Sequence, residues 1–184
     1  MTSHYARTLE NIVETGQSGD WKYCLSDDAL FPIPPNLDIG LRNAAGQWWA
    51  IERHADGQAY FRVRRLYAWD GASFAPDFAK GARTLGDCLK ALRDAGPDTA
   101  LAMAGPLVGS LVHDAGYQFV REIAATLAWG TGRTLAWADG MFLHTMLACG
   151  TPSRRATLYH FAVATVGHAY NAIGRFFRWI NPFR

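Results

Sequence analysis

Three short stretches of the chain hold side chains that could do chemistry: WDGAS at residues 69–73, LVHDAGYQF at 111–119 and ADGMFLHTM at 138–146. His113 and Asp114 stand side by side in an otherwise apolar run. On a helix, His113 and Tyr117 are four residues apart and share a face, while Asp114 is turned about 100° away. Imidazole and carboxylate are both ligands for first-row metals, and adjacent residues can reach one ion at a suitably placed helix end. Asp139 and His144 flank an apolar patch, but their five-residue separation is not the spacing that aligns two ligands on one face. Asp139 is therefore the better candidate of the two. Asp70 and Ser73 follow a strand-favouring run, a transition at which scaffolds present functional side chains.

Each candidate also has a plainer explanation. His113 bonded to a carboxylate within a helical bundle would serve stability alone. Asp139 could open a helix, where the macrodipole favours a negative charge. Asp70-Gly71 is a turn signal in its own right. His144, His160 and His168 read as satisfied core or edge histidines. Cys24, Cys88 and Cys149 are odd in number and form no CxxC pair, so neither a disulfide framework nor a cysteine zinc site is indicated. Cys24 has no nearby partner histidine in the sequence to support a nucleophile. Walker, GxGxxG, HExxH and GxSxG patterns are all missing, which removes the commonest nucleotide, zinc-protease and serine-hydrolase readings.

The elements that must position these residues fall into two halves. FPIPP at 31–35 forbids regular helix, because proline fixes φ and removes an amide donor. LDIGLRN, QWWAIERH and AYFRVRRLYAW, separated by AAG and ADG, predict a three-stranded antiparallel meander over 37–69. In the third run Phe61, Val63, Arg65, Tyr67 and Trp69 alternate with Tyr60, Arg62, Arg64, Leu66 and Ala68, so one face is the more apolar and should cover the core. From residue 84 the pattern turns helical. Thr84 caps and Gly96 stops a short amphipathic helix, and Pro106 opens the next, which carries HD-x-x-Y. GTGR at 130–133 separates it from a helix bearing Asp139, and Thr151-Pro152 begins a long aromatic one reaching about residue 180. The expectation is an α+β fold, a small N-terminal β-meander packed on a C-terminal bundle of about four helices, as a single domain over 1–184. The meander and DGAS loop take 36–76 and the helices 84–180.

At 184 residues, 49% hydrophobic and 18% charged, the chain can bury a core without disulfides or a structural metal. A net charge of +2 is too weak to imply nucleic acid as the main partner. The N-terminus lacks a basic region followed by an apolar one, so synthesis in the cytoplasm without standard export is expected. Residues 156–180 are too polar for a comfortable membrane span. The end, RFFRWINPFR, alternates aromatics with arginines and could touch a partner or a membrane surface, although packing on its own domain is the commoner fate of such a helix.

Taken in order, WDGAS, LVHDAGYQ and ADGMFLHTMLACG resemble a phage and prophage family catalogued as domain of unknown function 1353, over roughly residues 37–175. That family carries a DGAS-P motif after a β-meander, an HD-x-x-Y helix, and an AD-x-x-F helix leading to a small residue and glycine. The matching positions are Asp70, Gly71, Ala72 and Ser73; His113, Asp114 and Tyr117; and Ala138, Asp139 and Phe142. The chain departs in Phe74-Ala75-Pro76, where proline usually comes sooner, and in the long segment between DGAS and HD.

The resemblance implies a polar site rather than packing, since apolar residues would fill a core at lower cost. A metal-dependent hydrolase is the first expectation, with His113, Asp114 and Asp139 as ligands of a divalent ion, zinc foremost, or as ligand and general base. Asp70, Ser73 and Tyr117 would be its catalytic or substrate-orienting groups. Phage context points to a cell-wall peptide or amide bond, and to the host cytoplasm or the virion as location. The alternative is a non-enzymatic phage structural or host-interaction protein whose polar cluster is a hydrogen-bond network. An HD-type phosphohydrolase would need a further upstream histidine, and within the predicted strands and turns only His54 offers itself.

Overall fold

Phe61 and Val63 point one way along their strand and are buried, as are Tyr67 and Trp69 further on, so the apolar face covers the core except at Arg65, which is exposed. The structure, a computed structural model, describes residues 2–15, 22–38, 40–69 and 84–165. Within them lie helix α1 (Thr2–Glu10) and strands β1 (Ile12–Glu14), β2 (Tyr23–Leu25), β3 (Ala29–Pro32), β4 (Ala44–Ala45), β5 (Trp49–Arg53), β6 (Ala59–Val63) and β7 (Ala68–Trp69). Helices α2 (Leu85–Ala95), α3 (Pro97–Gln118), α4 (Val120–Leu127) and α5 (Thr131–Ala148) follow. Residues 153–165 are helical as well. The fold is mixed α+β, as expected.

The strands form two antiparallel sheets, β1-β2-β7 and β3-β6-β5-β4, in place of one meander. Among the described residues of the expected first strand at 37–43 none is in a strand: Pro34 and Pro35 set a turn there, with Leu37 N donating to Pro34 O at 2.9 Å. The expected third strand divides in two because Leu66 takes a left-handed conformation at φ 66°. Its amide donates to Leu25 O at 2.8 Å, so the chain leaves the β3-β6-β5-β4 sheet and joins β2 in the other. Tertiary pairing outweighs the roughly 1 kcal/mol that a non-glycine residue loses at such φ. Arg62 on β6 meets Glu52 at 2.6 Å and Asp28 at 2.9 Å, tying neighbouring strands together across the face away from the core.

Among the helices, α2 follows its local signals. Thr84 Oγ1 accepts from Asp87 N at 3.1 Å, and the Asp87 carboxylate accepts from Thr84 N at 2.8 Å, a reciprocal capping box. Thr84→Ala should cost about 1 kcal/mol, read as a lower urea midpoint with unchanged slope. Pro106, expected to open a helix, lies inside α3, which starts instead at Gly96-Pro97. A buried proline normally costs about 3 kcal/mol in a helix interior. α3 bears it because α1, α2 and α5 all pack against it, and thirteen other side chains and backbones from Ala100 to Gly116 are buried with Pro106. The run expected to continue to residue 128 breaks at Phe119, where α4 departs. Residues 166–184, which include the second half of the expected aromatic helix, lie outside the described residues.

One core cluster joins both layers, from Phe31, Trp49, Phe61 and Trp69 on the strands to Leu101, Leu111, Trp137 and Met141 on the helices. Phe61 meets Trp137 edge-on at 5.1 Å between centroids, which fixes β6 against α5. Among the described residues no helix is long and apolar enough to cross a membrane.

Candidate functional site

α3 and α5 run antiparallel at close range, and glycine makes that approach feasible. A Cβ on Gly116 would stand 2.5 Å from the Ala138 Cβ, and one on Gly109 would stand 2.8 Å from the Phe142 ring. Such distances are sub-van der Waals, so only glycine fits at these two points. Gly105, Gly109, His113 and Gly116 follow one another at spacings of four, four and three, one stripe of α3 aimed at α5. His113 is the single large side chain in that stripe. It is thereby delivered to Asp139.

The resulting cluster is nearly out of solvent. Side-chain exposure is 11% for His113 and 5% for Asp139, against 27% for Asp114, which lies toward the surface. His113 Nδ1 is 3.0 Å from Asp114 Oδ1, and Nε2 is 3.3 Å from Asp139 Oδ1. The first contact is a hydrogen bond. The second lies within ion-pair range yet off the N–H line, so Nε2 has no hydrogen bond. Tyr117 Oη donates to the same Asp139 oxygen at 2.9 Å. Its ring lies beside the imidazole at 4.2 Å between centroids, with the Phe142 ring at 5.5 Å on the histidine.

Burial alone would push the His113 pKa down, but the Asp114 hydrogen bond and the neighbouring Asp139 outweigh it and carry the pKa up to about 8. Burial, then the Asp139 charge, holds the Tyr117 phenol well above its ordinary value, so it remains a donor. His144 is half-buried and its pKa is lowered by burial, the behaviour of a neutral edge histidine.

Four of the residues singled out in the sequence thus meet: His113, Asp114, Tyr117 and Asp139. Asp139 lies mid-way along α5 and does not open it, so the helix-start explanation fails. Asp114 and Asp139 approach opposite nitrogens of the ring, so the two carboxylates and the imidazole do not converge on one point. Asp114 orients the ring; it is not placed beside Asp139 as a fellow ligand. Asp70 and Ser73 lie outside the described residues, but the residue before them is well anchored. Trp69 Nε1 donates to Ser110 Oγ at 3.2 Å, and Ser110 stands one turn of α3 before His113. Neither Ser110 nor the glycine stripe stands out in the sequence by the usual motif patterns, although glycines at 105, 109 and 116 are a legible small-residue signal.

As a metal centre the cluster fits in part. The buried, unbonded Nε2 beside a carboxylate oxygen, with a second carboxylate on Nδ1, is the arrangement of a ligating histidine held by an outer carboxylate. Among the described residues, however, no group of three or more His, Cys, Asp or Glu side chains is arranged to hold an ion. Comparison of the chain with family models, with curated proteins and with solved structures finds no match.

Proposed function

We propose that the protein is a metal-dependent hydrolase whose centre lies between α3 and α5, with His113 Nε2 and Asp139 as the protein ligands of a divalent ion, zinc foremost. The observation that carries this reading is Nε2 itself, buried, without a hydrogen bond and 3.3 Å from Asp139 Oδ1. A purely structural pair would be expected to align its N–H with the carboxylate. When bound, such an ion lowers the pKa of its water and polarises a carbonyl or phosphoryl oxygen. Asp114 would keep a proton on Nδ1, so that Nε2, once an ion displaces its own proton, offers its lone pair on the side of Asp139. Tyr117 holds Asp139 Oδ1 in place through its hydroxyl, and Phe142 and Tyr117 keep water from the ring. Asp70 and Ser73 belong to this proposal as a further acidic group and a substrate-orienting hydroxyl, on sequence grounds alone. A cell-wall peptide or amide substrate, a phage origin, and a cytoplasmic or virion location rest on the family resemblance.

A second reading is favoured by the low exposure of His113 and Asp139 and by the lack of a three-ligand group among the described residues. In it the cluster is a polar clasp that holds α3 to α5 in a non-enzymatic structural or host-interaction protein. Metal content of protein purified without chelator separates the two. Near-stoichiometric metal, lost in His113→Ala and Asp139→Ala and bound about 10- to 100-fold more weakly in Asp114→Asn, is the hydrolase outcome. Metal-free protein whose variants lose only stability leaves the clasp.

A further inference from the structure

Tyr67, just before β7, and Trp69, its last residue, both reach α3 with a hydrogen bond. Trp69 Nε1 donates to Ser110 Oγ at 3.2 Å, and that hydroxyl donates onward to Leu107 O at 2.8 Å. Tyr67 Oη donates to Gln118 Oε1 at 3.0 Å, and its ring meets that of Phe119 at 5.9 Å between centroids. The Tyr67 and Trp69 rings are themselves stacked, 10° apart in plane and 6.3 Å between centroids, and both are buried. The backbone that carries them is fixed by β2 and the residue before it. Lys22 N donates to Trp69 O at 3.1 Å, and Leu25 N donates to Tyr67 O at 3.0 Å.

These two grips on α3 bracket the polar cluster. Ser110 and Gln118 are eight residues apart, about 12 Å along the axis, with His113 and Tyr117 between them. The seam with α5 leaves such grips something to decide. Gly109 and Gly116 let the helices come close, but what packs onto them, the Phe142 ring and the Ala138 methyl, is apolar and makes no directional contact. That packing fixes the separation of the helices more sharply than their position along the axis. A slide of one residue, about 1.5 Å, would carry His113 Nε2 away from Asp139 Oδ1, which it meets at 3.3 Å. Hydrogen bonds weaken steeply off their length and angle, so one at each end of the segment opposes both slide and rotation.

We infer that Trp69 with Ser110, and Tyr67 with Gln118, are positioning residues: from the β1-β2-β7 sheet they set the level and rotation of α3 at which His113 meets Asp139. Trp69 and Tyr67 act through α3 and touch neither member of that pair by any hydrogen bond given above. The value of this brace to a metal ion rests on the hydrolase reading. Its effect on the distance between His113 and Asp139 does not.

Crystal structures of the metal-free full chain, with zinc titration beside them, test it. Ser110→Ala removes one grip and Gln118→Ala the other, and Gln118 is exposed, so its loss spares the core. In Ser110→Ala/Gln118→Ala the separation of Nε2 from Oδ1 should exceed about 4 Å, the limit of an ion pair. Zinc should then bind about tenfold more weakly, as when a ligand loses its support. Gln118→Glu in place of Gln118→Ala keeps an acceptor for Tyr67 and should return most of the lost affinity. Thr84→Ala controls for lost stability alone: it loosens the cap of α2 and should leave both the separation and the zinc affinity at wild-type values. Should the double variant fail to fold, Gln118→Ala by itself carries the same two readouts. An unchanged separation overturns the inference whatever zinc does, and so does a Thr84→Ala that lengthens it equally. A lengthened separation in a protein whose wild type takes up no zinc keeps the brace and removes the hydrolase reading instead.

Discussion

Asp139→Ala is expected to lower the unfolding free energy by about 3 kcal/mol, because it removes one member of a buried set and leaves the others uncompensated. With Asp139 gone, Tyr117 loses the acceptor of its 2.9 Å hydrogen bond, and His113 Nε2 keeps no carboxylate at 3.3 Å. Urea unfolding of chelator-treated protein measures the loss, and a loss below about 0.5 kcal/mol would mean that the cluster holds nothing together. A pH signature should accompany it. The folded pKa of His113, about 8, lies above the 6.5 of an unperturbed histidine. The proton therefore favours the folded state: its contribution is fully present below about pH 6.5 and is lost as pH rises through about 8, a span worth about 2 kcal/mol. Metal-free wild type should thus lose stability between pH 6 and 9, and Asp139→Ala should lose less. Metal-loaded protein should show the opposite trend, since the ion competes with the proton for Nε2 and binds better as pH rises.

Gly116→Ala is the second large effect. Glycine-to-alanine in a helix interior ordinarily stabilises by up to about 1 kcal/mol. Here the added Cβ would lie 2.5 Å from that of Ala138, so α3 and α5 must part. A loss of about 2–3 kcal/mol is expected, the reverse of the propensity effect. Because Gly116 and Ala138 stand next to the level of His113 and Asp139, the same substitution should weaken metal retention. The double variant Gly116→Ala/Ala138→Gly returns the space and should recover most of both. Thermal melts that show Gly116→Ala at or above wild type would remove the close helix approach as the device that assembles the site.

Much of the local structure was legible from neighbours in the chain. Thr84 and Gly96 bound α2; alternation from Phe61 to Trp69 identified the face that is buried apart from Arg65; GTGR marked the start of α5. These signals act within one turn or one strand, where the sequence supplies every partner. Helix α1 and strands β1 to β3 were not read, because such short elements carry too few residues for a period to emerge and are held by tertiary contacts such as Ser26 N to Asn11 O. Pro106 misled for a related reason: its preference for a first turn is a local one, and the packing of α1, α2 and α5 around α3 overrides it.

For the site, the sequence by itself determined the residue types, the helices that carry them, and that His113 and Tyr117 share a face. Only the tertiary structure decided that Asp139 meets Nε2 while Asp114 takes Nδ1, and hence that one carboxylate faces a partner helix and the other orients the ring. That outcome depends on the distance between two helix axes, and the axes come close because glycines at 109 and 116 leave room for Phe142 and Ala138. Side-chain spacing along one helix fixes angles about its axis. It fixes no distance to a residue more than twenty positions away.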